Sequence, residues 1–139
     1  MTPEPTSAGW DSKLSAPLRV LIVDDEDEVL DILASFLEKS GYTVIVASNG
    51  TSALQAIDHD PTIGVVLLDV VMPEMGGFEI LHDIMSRPVH PEVIMMTGLA
   101  EHRVLNAIKF GASDYVFKPF DFDGLKASIA ACLRRATGQ

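Results

Sequence analysis

The sequence lacks several features that would point to common classes of protein. It holds one cysteine, Cys132, among 139 residues, which excludes an internal disulfide and indicates a reducing compartment. No uninterrupted apolar run approaches the roughly 18–20 residues that a membrane span needs, and the polar N-terminus has no signal-peptide core. We therefore expect a cytoplasmic protein that does not enter the membrane.

Basic residues are also scarce. Lys and Arg number 10 against 20 Asp and Glu, so the formal net charge is −10. Nucleic-acid backbones require basic patches, and this balance argues against direct nucleic-acid binding by the segment. Glycine-rich phosphate loops of the Gly-x-Gly-x-x-Gly or Walker type are absent too, which argues against a nucleotide or flavin site. Solubility is the simplest explanation for most of the acidic residues.

What the sequence does have is a high apolar content of 47%, typical of one compact domain with a well-buried core. Residues 1–17 are rich in Pro, Ser, Thr and Gly without periodicity, so we predict a flexible N-terminal tail there. The folded domain is predicted over residues 18–136.

Short apolar runs alternate with amphipathic helical patterns from Arg19 onward. The runs predict five strands, at Arg19–Val23, Thr43–Ala47, Ile63–Leu68, Glu92–Met96 and Tyr115–Phe117. The patterns between and after the strands predict five helices. The first has apolar residues at 29, 32, 33, 36 and 37 and ends at Gly41, and the next three span 49–58, 77–86 and about 100–111. The last begins after Asp121 and has apolar residues at 125, 129, 132 and 133. Strict alternation predicts an α/β fold with a doubly wound, five-stranded parallel sheet in the order 2-1-3-4-5 and helices on both faces.

Ligands of such sheets bind beyond the carboxyl ends of the strands, where the strand order reverses. That point lies between strands one and three. Strand one is followed by Asp24-Asp25-Glu26, strand three by Asp69, strand four by Thr97 and strand five by Lys118. Three aspartates, a hydroxyl and an ammonium are thus expected at one edge of the sheet.

These residue types suit phosphoryl transfer to a carboxylate. Asp24, Asp25 and Asp69 would repel one another without a cation, and oxygen ligands without His or Cys favour Mg²⁺. Lys118 and Thr97 could then neutralise phosphoryl oxygens while Asp69 acts as the nucleophile. Taken singly, each residue has a plainer explanation, since the aspartates could cap a helix, Lys118 could be a surface lysine and Thr97 a strand-end cap.

Four motifs together resemble the receiver domains of bacterial two-component response regulators, which are CheY-like proteins with a flavodoxin-like fold. They are Val-Asp-Asp-Glu at 23–26, Leu-Asp-Val-Val-Met-Pro-Glu-Met-Gly-Gly at 68–77, Met-Thr-Gly at 96–98 and Asp-Tyr-Val-Phe-Lys-Pro-Phe at 114–120. The resemblance runs from about Arg19 to Arg135. It implies a phosphorelay switch that assists its own phosphorylation and dephosphorylation and is not otherwise an enzyme.

The resemblance also implies the roles of the acidic residues. Asp69 becomes the phosphoacceptor and a Mg²⁺ ligand, Asp25 a direct ligand, and Asp24 a ligand acting largely through water. The backbone carbonyl of Val71 completes the protein's share of the metal shell. The apolar side chains of Val71 and Leu99 are expected to exclude the attacking water and to give a comparatively long-lived phosphorylated form.

The remaining matched positions form the switch. Thr97 is the hydroxyl that moves toward the phosphoryl group, Lys118 is the ion-pair partner of that group, and the rotamer of Tyr115 reports the state of Thr97. Gly98 is a small residue that leaves the phosphoryl group room. A cis peptide is predicted between Lys118 and Pro119.

The implied partners are a sensor histidine kinase or histidine phosphotransfer protein as donor, and an output domain or protein on the face of the fourth predicted helix, fifth strand and fifth predicted helix. Oligomeric state stays open, a homodimer formed on phosphorylation being one alternative, as does a longer parent protein. Two other functions are compatible with parts of this pattern: a haloacid-dehalogenase-like aspartyl phosphatase with Asp25 as nucleophile, and a phosphorylation-independent interaction module. The first leaves Asp69 without a role, and the intact acidic pair, Asp69, Thr97 and Lys118 argue against the second.

Overall fold

The computed structural model describes residues 18–98, 108–118 and 121–136, with the side chain of Thr97 left out. Its five strands pair in parallel in the order β2-β1-β3-β4-β5, which confirms the predicted fold class. The strands are β1 (Arg19–Val23), β2 (Thr43–Ala47), β3 (Ile63–Asp69), β4 (Glu92–Thr97) and β5 (Asp114–Phe117).

The described residues form four helices: α1 (Asp27–Lys39), α2 (Gly50–His59), α3 (Gly77–Met85) and a C-terminal helix (Phe122–Ala136). Most of the predicted helix over 100–111 lies outside the described residues, although Ile108 and Lys109 are helical. The predicted tail at residues 1–17 also lies outside them, so the domain boundary stays a prediction.

Apolar side chains pack on both faces of the sheet, because alternate residues of a strand point to opposite sides. One core sets α2 and α3 against a strand face that includes Leu21, Val66 and Met95. The other sets α1 and the C-terminal helix against the opposite face, which includes Ile22, Leu67 and Met96. Every residue of β3 is buried, as expected for the central strand of a covered parallel sheet.

The buried stripe of α1 differs from the predicted one. The predicted pattern included Ile32, which is 55% exposed, whereas Leu30 is buried beside Leu33 and Leu37. Leu30, Leu33 and Leu37 follow the spacing i, i+3, i+7, so they share one side of the helix, and Ile32 falls outside it. The predicted end of this helix at Gly41 is confirmed. Gly41 has a φ of +98°, and its N–H donates to the carbonyl of Glu38.

The single cysteine and two of the methionines belong to the buried core. Cys132 is buried in the core under the C-terminal helix, and Met95 and Met96 are buried in the sheet. His59, His82 and His90 are exposed. Within the described residues, no helix has both the length and the apolar content needed to cross a membrane.

Candidate functional site

The predicted site residues come together at the carboxyl edge of the sheet because of the strand register. In β1 and β3, Val23 pairs with Leu68, so Asp24 and Asp69 each lie one position further along neighbouring strands. In β4 and β5, Thr97 pairs with Phe117, which places Lys118 just past the end of that pair. The site therefore lies at the switch point, which is the place between β1 and β3 where the strand order reverses, and extends to the ends of β4 and β5.

Three carboxylates at this edge form a group that could hold a metal ion. Asp24, Asp25 and Asp69 each offer an oxygen atom, and these atoms all lie within 4.8 Å of one another. Asp24 and Asp69 are buried, whereas Asp25 is exposed at the mouth of the site. A set of oxygen ligands that is partly open to water fits Mg²⁺, which retains several of its waters when it binds proteins.

Lys118 lies among these carboxylates. Its Nζ atom donates to Asp24 Oδ2 at 2.9 Å and to Asp69 Oδ1 at 3.3 Å. The carboxylate of Glu26 comes within ion-pair distance as well, with Oε1 at 3.9 Å from Nζ. The sequence predicted Lys118 opposite Asp69, and the structure adds that Asp24 is its closest partner.

The pKa of Asp69 is raised to about 6. Burial is the main cause, since it disfavours the charged carboxylate, and the neighbouring charge of Asp24 acts in the same direction. The ammonium of Lys118 offsets only part of this rise. The pKa of Lys118 is itself raised, because its bond to Asp24 and the charges of Asp69 and Asp24 outweigh the opposing effect of burial. Asp69 is therefore a buried carboxylate that a further cation would stabilise in its charged form.

The chain after β3 is held tightly against the site. The N–H of Val70 donates to the carbonyl of Met96 at 3.0 Å, and the N–H of Gly77 donates to the carbonyl of Val70 at 2.9 Å. A Cβ atom at Gly77 would lie 2.2 Å from the carbonyl oxygen of Asp69, so this position admits only glycine without movement of the backbone. α3 thus begins directly against the backbone of the predicted phosphoacceptor.

The structure also gives the positions of three other predicted site residues, Val71, Tyr115 and Gly98. Val71 follows β3 and is 57% exposed. Tyr115 is buried on β5, with its ring centroid 5.5 Å from that of Phe117. A Cβ atom at Gly98 would meet the carbonyl oxygen of Lys118 at 3.9 Å, an ordinary contact that leaves room for a methyl group.

Four predictions rest on parts of the chain outside the described residues. They concern the orientation of the Thr97 hydroxyl, the role of Leu99, the peptide bond to Pro119 and the pairing of Thr97 with Tyr115. The sequence pattern indicated no role for Glu26 or Gly77, although both lie near the site. For Glu26 the only signal was its place after Asp25 at the strand end, and for Gly77 it was its place at the end of the motif after Asp69.

With this fold and site, the chain belongs to the response regulator receiver domain family, which it matches over residues 20–130. The match does not favour the aspartyl phosphatase alternative. Among solved structures, the chain is similar to a response regulator receiver domain protein from Clostridium thermocellum, with a TM-score of 0.80 and 32% identity over 85% of this chain and 95% of that one. A CheY-like receiver domain protein from Methanospirillum hungatei JF-1 has a TM-score of 0.79 and 31% identity over 87% and 97% of the two chains.

Curated relatives include the regulatory protein AtoC of Escherichia coli, 40% identical over 123 residues, which are 87% of this chain and 26% of that protein. The transcriptional regulatory protein KdpE of Mycobacterium tuberculosis is 37% identical over 119 residues, or 85% of this chain and 52% of that protein. The chain therefore spans between about a quarter and a half of the length of these relatives.

Proposed function

We propose that this receiver domain accepts a phosphoryl group on Asp69 in a Mg²⁺-dependent reaction and thereby switches an output surface. The observation that carries the proposal is the position of Asp69. Its carboxylate is buried at the switch point, bonded to Lys118 and within shared metal-ligand distance of Asp24 and Asp25. That combination supplies a nucleophile together with positive charge for the oxygens of the transferred group.

The metal roles follow from how the carboxylates are already engaged. Asp24 accepts from the N–H of Glu26 at 2.9 Å and from Lys118 at 2.9 Å, which suits an indirect role through water. As the family resemblance implies, Asp25 and Asp69 would bind Mg²⁺ directly, together with the backbone carbonyl of Val71; the oxygen atoms of these two carboxylates lie within 4.8 Å of each other. When bound, Mg²⁺ neutralises charge on the phosphoryl oxygens and lowers the pKa of Asp69.

In the proposed transfer, a carboxylate oxygen of Asp69 attacks phosphorus while the bond to the donor breaks. For a phosphohistidine donor the imidazole nitrogen leaves with the bonding electrons and takes a proton. The charged form of Asp69 is the nucleophile, and a pKa of about 6 leaves it mostly ionised at neutral pH. Lys118, already 3.3 Å from Asp69, would bind a phosphoryl oxygen.

The partners we propose are a histidine kinase or histidine phosphotransfer protein as donor and an output domain or protein reached through β5 and the C-terminal helix. KdpE of M. tuberculosis is a transcriptional regulatory protein about half of whose length this chain matches. Any nucleic-acid binding would belong to another part of such a protein, since the net charge here is −10. We place the protein in the cytoplasm.

The test is to find which residue is phosphorylated. The protein is incubated with acetyl phosphate and Mg²⁺, digested, and the modified peptide is identified by mass spectrometry. We expect one phosphoryl group on Asp69, none after chelation of Mg²⁺, and none in Asp69→Asn. Full incorporation into Asp69→Asn would contradict the assignment, and a phosphoryl group on Asp25 would support the phosphatase alternative instead.

A further inference from the structure

Glu26 lies at the mouth of the site with a charge that the proposed function does not use. Its carboxylate Oε1 is 3.9 Å from Lys118 Nζ, and its side chain is 65% exposed. Its backbone is fixed, because its N–H donates to Asp24 Oδ1 at 2.9 Å and its carbonyl accepts from the N–H groups of Val29 and Leu30. The side chain therefore projects from an anchored position beside the lysine.

Helix capping does not explain this side chain. Glu26 is the N-cap residue of α1, yet its side chain makes no capping hydrogen bond. Glutamate is also not among the preferred N-cap residues, which have shorter side chains able to reach back to the first turn. Any favourable interaction with the helix dipole is shared with Asp27 and Glu28 in the first turn. What distinguishes Glu26 from these two is its ion pair with Lys118.

This ion pair matters because the site carries an excess of negative charge. Lys118 is within ion-pair distance of Asp24, Asp69 and Glu26, and Asp25 stands beside them. Four carboxylates thus surround one ammonium, and a divalent cation would leave one negative charge in excess. That excess equals the charge of Glu26, whose exposed side chain lies next to Lys118 at the solvent side of the site.

We propose that Glu26 is a specificity-determining residue that slows phosphorylation by small dianionic donors. This inference rests on the proposed function of Asp69. A small donor such as an acyl phosphate must bring its full charge past Glu26. A donor protein can present its phosphohistidine together with cationic side chains that pair with Glu26 and with the acidic residues after it. Glu26 thereby favours a protein donor over a free metabolite.

The experiment compares two small donors of different charge on the full chain at saturating Mg²⁺. Acetyl phosphate carries two negative charges near neutral pH, and phosphoramidate carries one net negative charge. The second-order rate of Asp69 phosphorylation is measured by quenching and mass spectrometry for the parent, Glu26→Gln and Glu28→Gln. Glu28→Gln is the matched control, since it removes the same charge from the exposed first turn of α1.

We expect Glu26→Gln to speed phosphorylation by acetyl phosphate about 3–10-fold and by phosphoramidate about 2-fold or less, from Coulomb interactions over several ångströms in a screened medium. Glu28→Gln should change the ratio of the two rates by less than about 2-fold, and raised salt should shrink the effect of Glu26→Gln. Isothermal titration with Mg²⁺ should show weaker binding to Glu26→Gln, a readout independent of phosphorylation. Thermal unfolding verifies that both variants are folded.

The inference is overturned if Glu26→Gln speeds both donors equally, speeds neither, or matches Glu28→Gln. Those outcomes leave the proposed function intact, because the parent would still be phosphorylated on Asp69. Absence of Asp69 phosphorylation with both donors in the parent and in Glu26→Gln alike would instead overturn the proposed function and this inference together.

Discussion

At the scale of single residues, the burial of Asp69 links the stability of the free protein to pH. Its pKa is about 6 in the folded chain against 3.8 for the ordinary group, so the folded state binds this proton more tightly than the unfolded state does. Asp69 therefore contributes a loss of stability as pH rises from about 4 to about 6, and its full cost is present above that range. The proposed phosphoacceptor is thus buried at the expense of stability.

Replacing the carboxylate should relieve this cost. In metal-free buffer at pH 7.5, we expect Asp69→Asn to be more stable than the parent by up to about 3 kcal/mol, the free-energy equivalent of the pKa shift. Near pH 4 the two proteins should be about equally stable, since Asp69 is then protonated in the parent. Urea unfolding at both pH values measures the difference.

Asp31→Asn provides the control, because Asp31 is an exposed carboxylate on α1. It should shift stability by less than about 0.5 kcal/mol at either pH. Millimolar Mg²⁺ should raise the stability of the parent and narrow the gap to Asp69→Asn. A pH-independent difference between Asp69→Asn and the parent would show that burial of the charge is not the cause.

At the scale of elements, the junction between β3 and α3 is the tightest at the site. Gly77→Ala would force a Cβ atom to 2.2 Å from the carbonyl oxygen of Asp69, so the backbone at the end of β3 must move. We expect a loss of about 1–3 kcal/mol in the free energy of unfolding, typical of overpacking, and slower phosphorylation of Asp69. Urea unfolding and the acetyl phosphate assay measure the two effects.

The neighbouring glycine offers a matched control. A Cβ atom at Gly76 would meet its nearest atom at 3.8 Å, and its φ of −72° is accessible to any residue. Gly76→Ala should therefore stay within about 0.5 kcal/mol of the parent. If the two variants behave alike, close approach to Asp69 is not what requires glycine at position 77.

The strands were predictable because each is a short apolar run bounded by polar residues and turns. β1 and β2 have the predicted bounds, and β3, β4 and β5 are each one residue longer at one end. The inner face of α1 was harder to predict, since apolar residues at 29, 30, 32 and 33 fit more than one stripe. Packing against the sheet selected Leu30 over Ile32.

The membership of the site could also be predicted, because parallel strands bring their carboxyl ends to one edge. Which of these side chains bond to one another could not be predicted. Asp24 and Asp25 are adjacent in sequence, and only the path of the chain after β1 decides which is buried and which faces solvent. The reach of the Lys118 side chain toward Asp24, and of Glu26 toward Lys118, likewise depends on side-chain geometry that no spacing encodes.

At the scale of the whole molecule, two cores on either side of one sheet form the folded unit. Within the part of the chain that the structure describes, the buried apolar residues of both cores lie between Val20 and Cys132. We therefore expect a chain of residues 18–136 to unfold in urea within about 1 kcal/mol of the full chain, as substitutions away from a core do. It should also be phosphorylated on Asp69 at the same rate.

Urea unfolding of the two chains, followed by the acetyl phosphate assay, checks this boundary. A fragment beginning at Val23 serves as the contrast, because it removes the buried β1 residues Val20, Leu21 and Ile22 and should not fold. A large loss of stability in the 18–136 chain would show that residues outside it belong to the folded unit.

The span of the site along the chain has a consequence for synthesis on the ribosome. Lys118 pairs with Asp24 across 94 positions of sequence, and β5, which precedes Lys118, joins the sheet last in chain order. A nascent chain that ends before residue 118 has the carboxylates but lacks the ammonium among them. We therefore expect a nascent chain to hold the complete proposed site only after residue 118 has been synthesised and β5 has joined the sheet.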